Sequence, residues 1–131
     1  FLLIGFQPII SSAQAVNTDS LRQVWDDENQ ADTTRLKAVN ILIKKGYFSS
    51  QPDSAFYFAQ LQFDFAEKKG LKKEMGKALN TIGVIYKIKG DYAKAVASYT
   101  KSLKIREEIG DKKGIEGSFG NIGVVYQSQG N

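Results

Sequence analysis

The chain has 131 residues, enough for one compact domain or for a few units of a repeating array. Its 42% hydrophobic and 24% charged residues argue against disorder, and the lack of any cysteine or histidine excludes disulfides, thiolate metal sites, thiol nucleophiles and the usual general base. The net charge of +4 is uneven, with five basic and eight acidic residues over Val16–Glu67 and thirteen basic and six acidic over Lys68–Asn131. Because those lysines are interspersed with acids and not run together, they read first as solvated helix faces and only second as an anion-binding half.

In chain order, Phe1–Ile10 is an apolar run, followed by Ser11-Ser12 and an Ala13-Gln14-Ala15 ending. Ten apolar residues are too few to cross a hydrocarbon core of about 30 Å as a helix. Small residues at both alanine positions fit a signal peptidase, so residues 1–15 read as the remnant of a secretory signal peptide, and export to the periplasmic or extracytoplasmic side is the expectation. An apolar terminal helix of the folded domain is the alternative. Residues 16–31 then form a short cap, with a helix near Asp19–Asp27 carrying Leu21, Val24 and Trp25.

Thr33–Lys45 is predicted as a helix with Leu36, Val39, Asn40 and Ile43 inward. Pro52 and Asp53 mark the start of the next one, since proline suits a first helical turn. Apolar or small residues at Met75, Ala78, Leu79, Ile82, Ile85 and Tyr86 then follow a three-and-four spacing that puts them on one helical face. Gly90 ends that helix and Asp91 caps another, Tyr92–Ile109, with Ala95, Val96, Tyr99, Leu103 and Ile105 inward. Gly110 closes it, and Asp111 opens a last helix with Ile115, Phe119, Ile122 and Tyr126.

The segments "TIGVIYKIKG" and "NIGVVYQSQG", Thr81–Gly90 and Asn121–Gly130, stand forty positions apart. The same shift carries Ala95 onto Ala55, Leu103 onto Phe63, Glu107 onto Glu67 and Gly110 onto Gly70. The repeating unit is therefore a pair of antiparallel helices, with units at 32–70, 71–110 and 111–131. One unit cannot bury its apolar side alone, and a neighbour with the same pattern completes the core.

Leu79-x-x-Ile82-Gly83-x-x-Tyr86 followed by Ala95-x-x-x-Tyr99 resembles the tetratricopeptide repeat signature, and Phe119-x-x-Ile122-Gly123-x-x-Tyr126 restates it. Leu79 and Phe119 stand in place of tryptophan, the terminal proline is missing, and the spacing of forty exceeds the usual period of about 34 residues. The long period and the Gly110–Gly114 link "GDKKG" are similar to repeats in extracytoplasmic regions of bacterial sensor kinases and nucleotide cyclases, and in some eukaryotic adaptors. The resemblance implies an all-α, right-handed superhelical solenoid of about two and a half repeats. In it Gly83 and Gly123 are equivalent crossing points, while Phe119, Ile122 and Val125 on the last helix are expected to be partly uncovered.

No catalytic constellation emerges. Neighbouring acids at Asp26-Asp27-Glu28 and Glu107-Glu108 diverge by about 100° on a helix and make no acid–base pair. Gly110–Gly114 lacks the lysine–serine/threonine ending of a phosphate loop. No enzyme activity, cofactor or small-molecule substrate is expected. Nucleic acid is a weak alternative, since the lysines spread over several faces without an aromatic platform.

The resemblance implies a concave face formed by the first helices of successive units. Its solvent side comprises Lys77, Asn80, Thr81, Val84 and Lys87, and at the third-unit positions Gly117, Gly120, Asn121, Val124 and Gln127. The asparagines would hydrogen-bond a peptide backbone and the lysines an acidic side chain. The expected role is a non-catalytic scaffold for a protein or peptide segment, as the front part of a larger exported or membrane-anchored signalling protein. The alternative within the same fold is a self-contained secreted adaptor. Self-association through the uncovered last helix is the further expectation.

Overall fold

In a computed structural model, residues 16–130 are described; the proposed signal segment lies outside them. Six helices follow one another: α1 (Thr18–Asp26), α2 (Asp32–Ile41, continued by a π-helical turn Leu42–Tyr47), α3 (Pro52–Lys69), α4 (Lys72–Ile88), α5 (Tyr92–Glu108) and α6 (Lys112–Ser128). Each packs mainly on the helix before it and the helix after it, giving an all-α solenoid of helical hairpins.

The turns are chemically uniform. Gly70, Gly90 and Gly110 have φ of 68°, 79° and 68°, the left-handed conformation that a side chain would oppose. After each, an N–H reaches back five residues: Leu71 to Ala66, Asp91 to Tyr86 and Asp111 to Arg106, each at 2.9 Å. Asp91 and Asp111 then accept from the N–H groups of Lys94 and Gly114 and so cap the next helix. The predicted boundaries hold to within about two residues at most ends, the tolerance expected of frayed termini.

The first hairpin departs from this. Position 50 is serine where position 90 is glycine, and among the described residues no non-glycine residue takes a positive φ. Without the left-handed stop, the helix widens: the Phe48 N–H bonds to Ile43 O, five residues back, at 3.0 Å. The helix expected over Thr33–Lys45 thus becomes α2 plus the π turn.

The core is built at helix crossings. Gly83 is buried beneath the ring of Tyr99, and a Cβ at position 83 would stand 2.5 Å from that ring. Tyr99 is fully buried and clusters with Ala95 and Val125, with Val84, Tyr86, Tyr92, Val96 and Ile122 around them. At the other end of the same crossing, the Ser102 hydroxyl donates to Gly76 O at 2.7 Å, and the buried Arg106 lies against Gly76. Arg106 Nη1 donates to Gly114 O and Ser118 Oγ, both at 2.9 Å. Composition gave no hint of this polar seam through α4, α5 and α6; Ser98, Ser102 and Arg106, not Ile105, complete the inner side of α5. Toward the N-terminus, Trp25 meets Phe65 edge-on at 5.4 Å, and Arg35 covers both rings while donating to Trp25 O at 2.8 Å. Helix α1 thus packs against the first unit through Trp25.

Three expectations need correction. Asn40 is only half-buried and lines a surface cleft, because it lies at the edge of the α2 face that meets the core. Val125 is fully buried against Tyr99, whereas Phe119 is 57% exposed. Gly123 meets nothing within 4 Å, so its packing role, unlike that of Gly83, is unfilled among the described residues.

Gly83→Ala is expected to destabilise the chain by about 1–3 kcal/mol through overpacking on Tyr99, while Gly123→Ala gains about 0.8–1 kcal/mol of helix propensity. Urea denaturation midpoints of the two variants should therefore move in opposite directions. A second expectation concerns Tyr99, whose buried hydroxyl has no hydrogen-bond partner and whose pKa burial pushes up from 10.0 to about 12. The folded state favours the neutral phenol, so this contribution is complete below pH 10 and is lost as pH rises toward 12. Tyr99→Phe should remove that share of the alkaline loss, and at pH 7 should be neutral or stabilising by up to about 1 kcal/mol; thermal melts at pH 7 and pH 11 check both.

Candidate functional site

The first helices of the units, α2, α4 and α6, share one side of the array, but their spacing is unequal. Helix α4 touches α6 directly, whereas α2 and α4 make no direct helix–helix approach. Where α2 and α4 separate, a cleft of about 710 Å³ opens. Thr33, Leu36, Lys37 and Asn40 line it from α2, Lys72, Lys73, Glu74 and Lys77 from α4, and Gly70, Leu71 and Ile109 from the turns between helices.

The charge in this cleft is lopsided. Four lysines face one glutamate. Lys77 Nζ is paired with Glu74 Oε1 at 3.1 Å, and Lys72 Nζ with Glu108 Oε2 at 3.2 Å. Among the described residues no carboxylate lies within ion-pairing reach of Lys37 or Lys73, both exposed. Leu36 and Leu71 supply an apolar base and Asn40 and Thr33 neutral hydrogen-bonding groups, so the cleft offers cation, amide and hydroxyl over an apolar floor.

The residues expected on the concave face divide. Lys77 is exposed and lines the cleft. Asn80 and Asn121 are half-buried, and the Asn121 Nδ2 donates to Asn80 Oδ1 at 2.7 Å, so these two amides tie α4 to α6. Thr81 is buried at 3% exposure and cannot touch a ligand, because it faces the helix interior one step past the groove. Val84 is half-buried against the Tyr99 cluster, and Lys87 is half-buried. Gly117, Gly120, Val124 and Gln127 are exposed on α6, with open space above both glycines. The structure thus brings Lys77 to a cleft but divides the remaining candidates between the α4–α6 seam and the α6 surface.

Lys37 and Lys73 belong to no motif, and Asn40 is a residue expected inward and not at a site. The signal was present, since a shift of forty carries Lys77 onto Lys37 and Asn80 onto Asn40.

The acidic pairs have structural partners. Asp27 accepts from the Asn29 N–H at 3.0 Å and the Gln30 amide at 3.2 Å, bonds that hold its carboxyl below the usual carboxylate range. It closes the turn after α1. Glu108 is engaged by Lys72. In the Gly110–Gly114 link, Asp111 Oδ1 takes the Gly114 N–H at 3.0 Å and Arg106 takes the Gly114 carbonyl, which is the geometry of a helix cap and not of a phosphate cradle. Burial lowers the Arg106 pKa, with the nearby Asp111 charge acting the other way.

A chain of helical hairpins with small residues at the crossings and an array-long side lined by alternate helices defines a helical-repeat protein. Residues 76–109 match the family model described as tetratricopeptide repeat, so the second unit, running from α4 into α5, carries a tetratricopeptide repeat. Proteins built on this repeat generally act by binding other proteins and are typically non-catalytic. Neither the curated proteins nor the solved structures contain a significant match to the chain.

Proposed function

We propose that this chain is a non-catalytic scaffold that holds an extended, acidic protein or peptide segment, with the α2–α4 cleft as its principal contact. The observation that carries the reading is the pair of uncommitted lysines, Lys37 and Lys73, lining one cleft from α2 and α4 together with Leu36, Leu71 and Asn40. Two cations without counter-ions are repelled by each other and by their lysine neighbours, and a carboxylate between them relieves that repulsion. Asn40 offers both a donor and an acceptor to a peptide backbone. Lys77 extends the basic surface along α4, and the exposed backbone at Gly117 and Gly120 continues it onto α6 as a surface a peptide main chain can approach closely.

We further propose that the chain is exported and forms the N-terminal sensory or interaction region of a larger membrane-anchored signalling protein. The apolar run and the Ala13-Gln14-Ala15 ending support export. The likeness of the long repeat to extracytoplasmic regions of sensor kinases and cyclases supports the signalling context.

A fluorescent peptide of alternating glutamate and apolar residues should bind the chain with an affinity that falls as salt rises. The double variant Lys37→Glu/Lys73→Glu should weaken it by about tenfold or more while leaving the melting temperature unchanged within error. Equal binding by both proteins, or none by either, would remove the cleft reading. For export, expression in a bacterium with the leader intact should yield a periplasmic product whose N-terminal residue is Val16; a cytoplasmic product retaining Phe1 overturns it.

A further inference from the structure

One edge of the array carries both the basic cleft and an acidic projection of matching charge. Residues 27–31 join α1 to α2, and Asp26 and Glu28 are exposed there. The turn is held firmly. Asp27 accepts from the Asn29 N–H and the Gln30 amide, and the Gln30 N–H donates to Asp27 O at 3.1 Å. Just before it, Trp25 is buried and its carbonyl takes the Arg35 Nε–H. Asp27 is thus spent on the turn itself, which leaves Asp26 and Glu28 at the surface. Among the described residues no cation lies within ion-pairing reach of either.

Turn and cleft are neighbours. Asp32, the first residue of α2, pairs with Lys69 of α3 at 3.5 Å, and Thr33 and Gly70, the residues next to that pair, already line the cleft. Yet no ion pair joins the turn to Lys37 or Lys73 within the chain. Two surfaces of opposite sign lying side by side on one edge are self-complementary about a two-fold axis, where each copy meets the other with the same patch.

We infer that the cleft receives the α1–α2 turn of a second copy of this chain, with Asp26 and Glu28 of each copy set against Lys37 and Lys73 of the other. Charges that lack a counter-ion in the single chain then gain one, two carboxylates to two lysines in each contact. Because the turn is already formed, its ordering adds little to the cost of association. Exposed ion pairs are individually weak and screened by salt, so the dimer is weak and salt-sensitive. Its consequence is regulatory: the turn occupies the place an acidic ligand takes, and the ligand must displace it. That consequence rests on the ligand reading of the cleft given above, whereas the pairing of copies does not.

Sedimentation equilibrium of the intact chain should show a dimer at low salt that dissociates as salt rises. Lys37→Glu/Lys73→Glu and Asp26→Lys/Glu28→Lys should each weaken it by about tenfold or more, since each sets like charges against one another. Mixed in equal amounts, the two variants should regain the dimer, because both contacts are restored with their signs reversed. Neither variant is net negative, so a general attraction between oppositely charged chains cannot produce the mixed species. All four positions are exposed, and unchanged melting temperatures verify the fold. A chain that stays monomeric at low salt, or variants that fail to pair on mixing, overturns the inference. So does a dimer that Phe119→Glu dissociates and the charge reversals leave intact. The fluorescent acidic peptide should compete with the dimer, and it should bind the Asp26→Lys/Glu28→Lys variant more tightly than the unaltered chain at concentrations where the latter pairs. If the peptide binds neither, the ligand reading falls, while the mixed variants still decide the pairing.

Discussion

The array rests on one steric exchange, a glycine on one helix given up to an aromatic ring on the next. At position 83 the absence of a Cβ lets Tyr99 lie flat on α4, and that ring then forms the floor on which Val125 of α6 is buried. A single contact thus joins three consecutive helices. Burial of a tyrosine whose hydroxyl finds no partner costs free energy. The shape of the ring, which spans the crossing, offsets that cost through packing with both neighbours. Arg106 repeats the logic in polar form: it runs between Gly76 and Gly114, where an added Cβ would stand 3.3 Å and 2.8 Å from it.

How much of this was legible depended on whether a residue's role was local or relational. The helices, their glycine stops and aspartate caps follow from spacing and from backbone chemistry confined to a few residues, and they could be read directly. Gly83 could be assigned to a crossing because its neighbours at 82, 85 and 86 define which face it occupies. Asn80 and Asn121 could not be resolved, since whether an amide faces a ligand or another amide depends on the distance between two helices. Thr81 failed for a related reason: a rotation of about 100° per residue separates groove from interior, and sequence does not fix where the boundary falls. The Arg106 seam was invisible because an arginine among lysines on a helix reads as surface until the glycines opposite it are seen to make room.

The electrostatics of the cleft also arise from the arrangement and not from composition. The basic second half of the chain places Lys72, Lys73 and Lys77 on α4, but two of these are balanced by Glu74 and Glu108. What gives the cleft its character is Lys37, a residue of the acidic first half that lines the same cleft as Lys73.

The π-helical turn after α2 has a consequence for how such an array is assembled. The first hairpin leaves its first helix through the π turn, without the left-handed glycine that ends α3, α4 and α5. Unit 32–70 is therefore a one-sided part: it accepts α4 on one flank and the Trp25–Arg35–Phe65 stack on the other, and it cannot be exchanged with 71–110 as identical bricks could. The solenoid has a direction written into its backbone, with a keystone at one end.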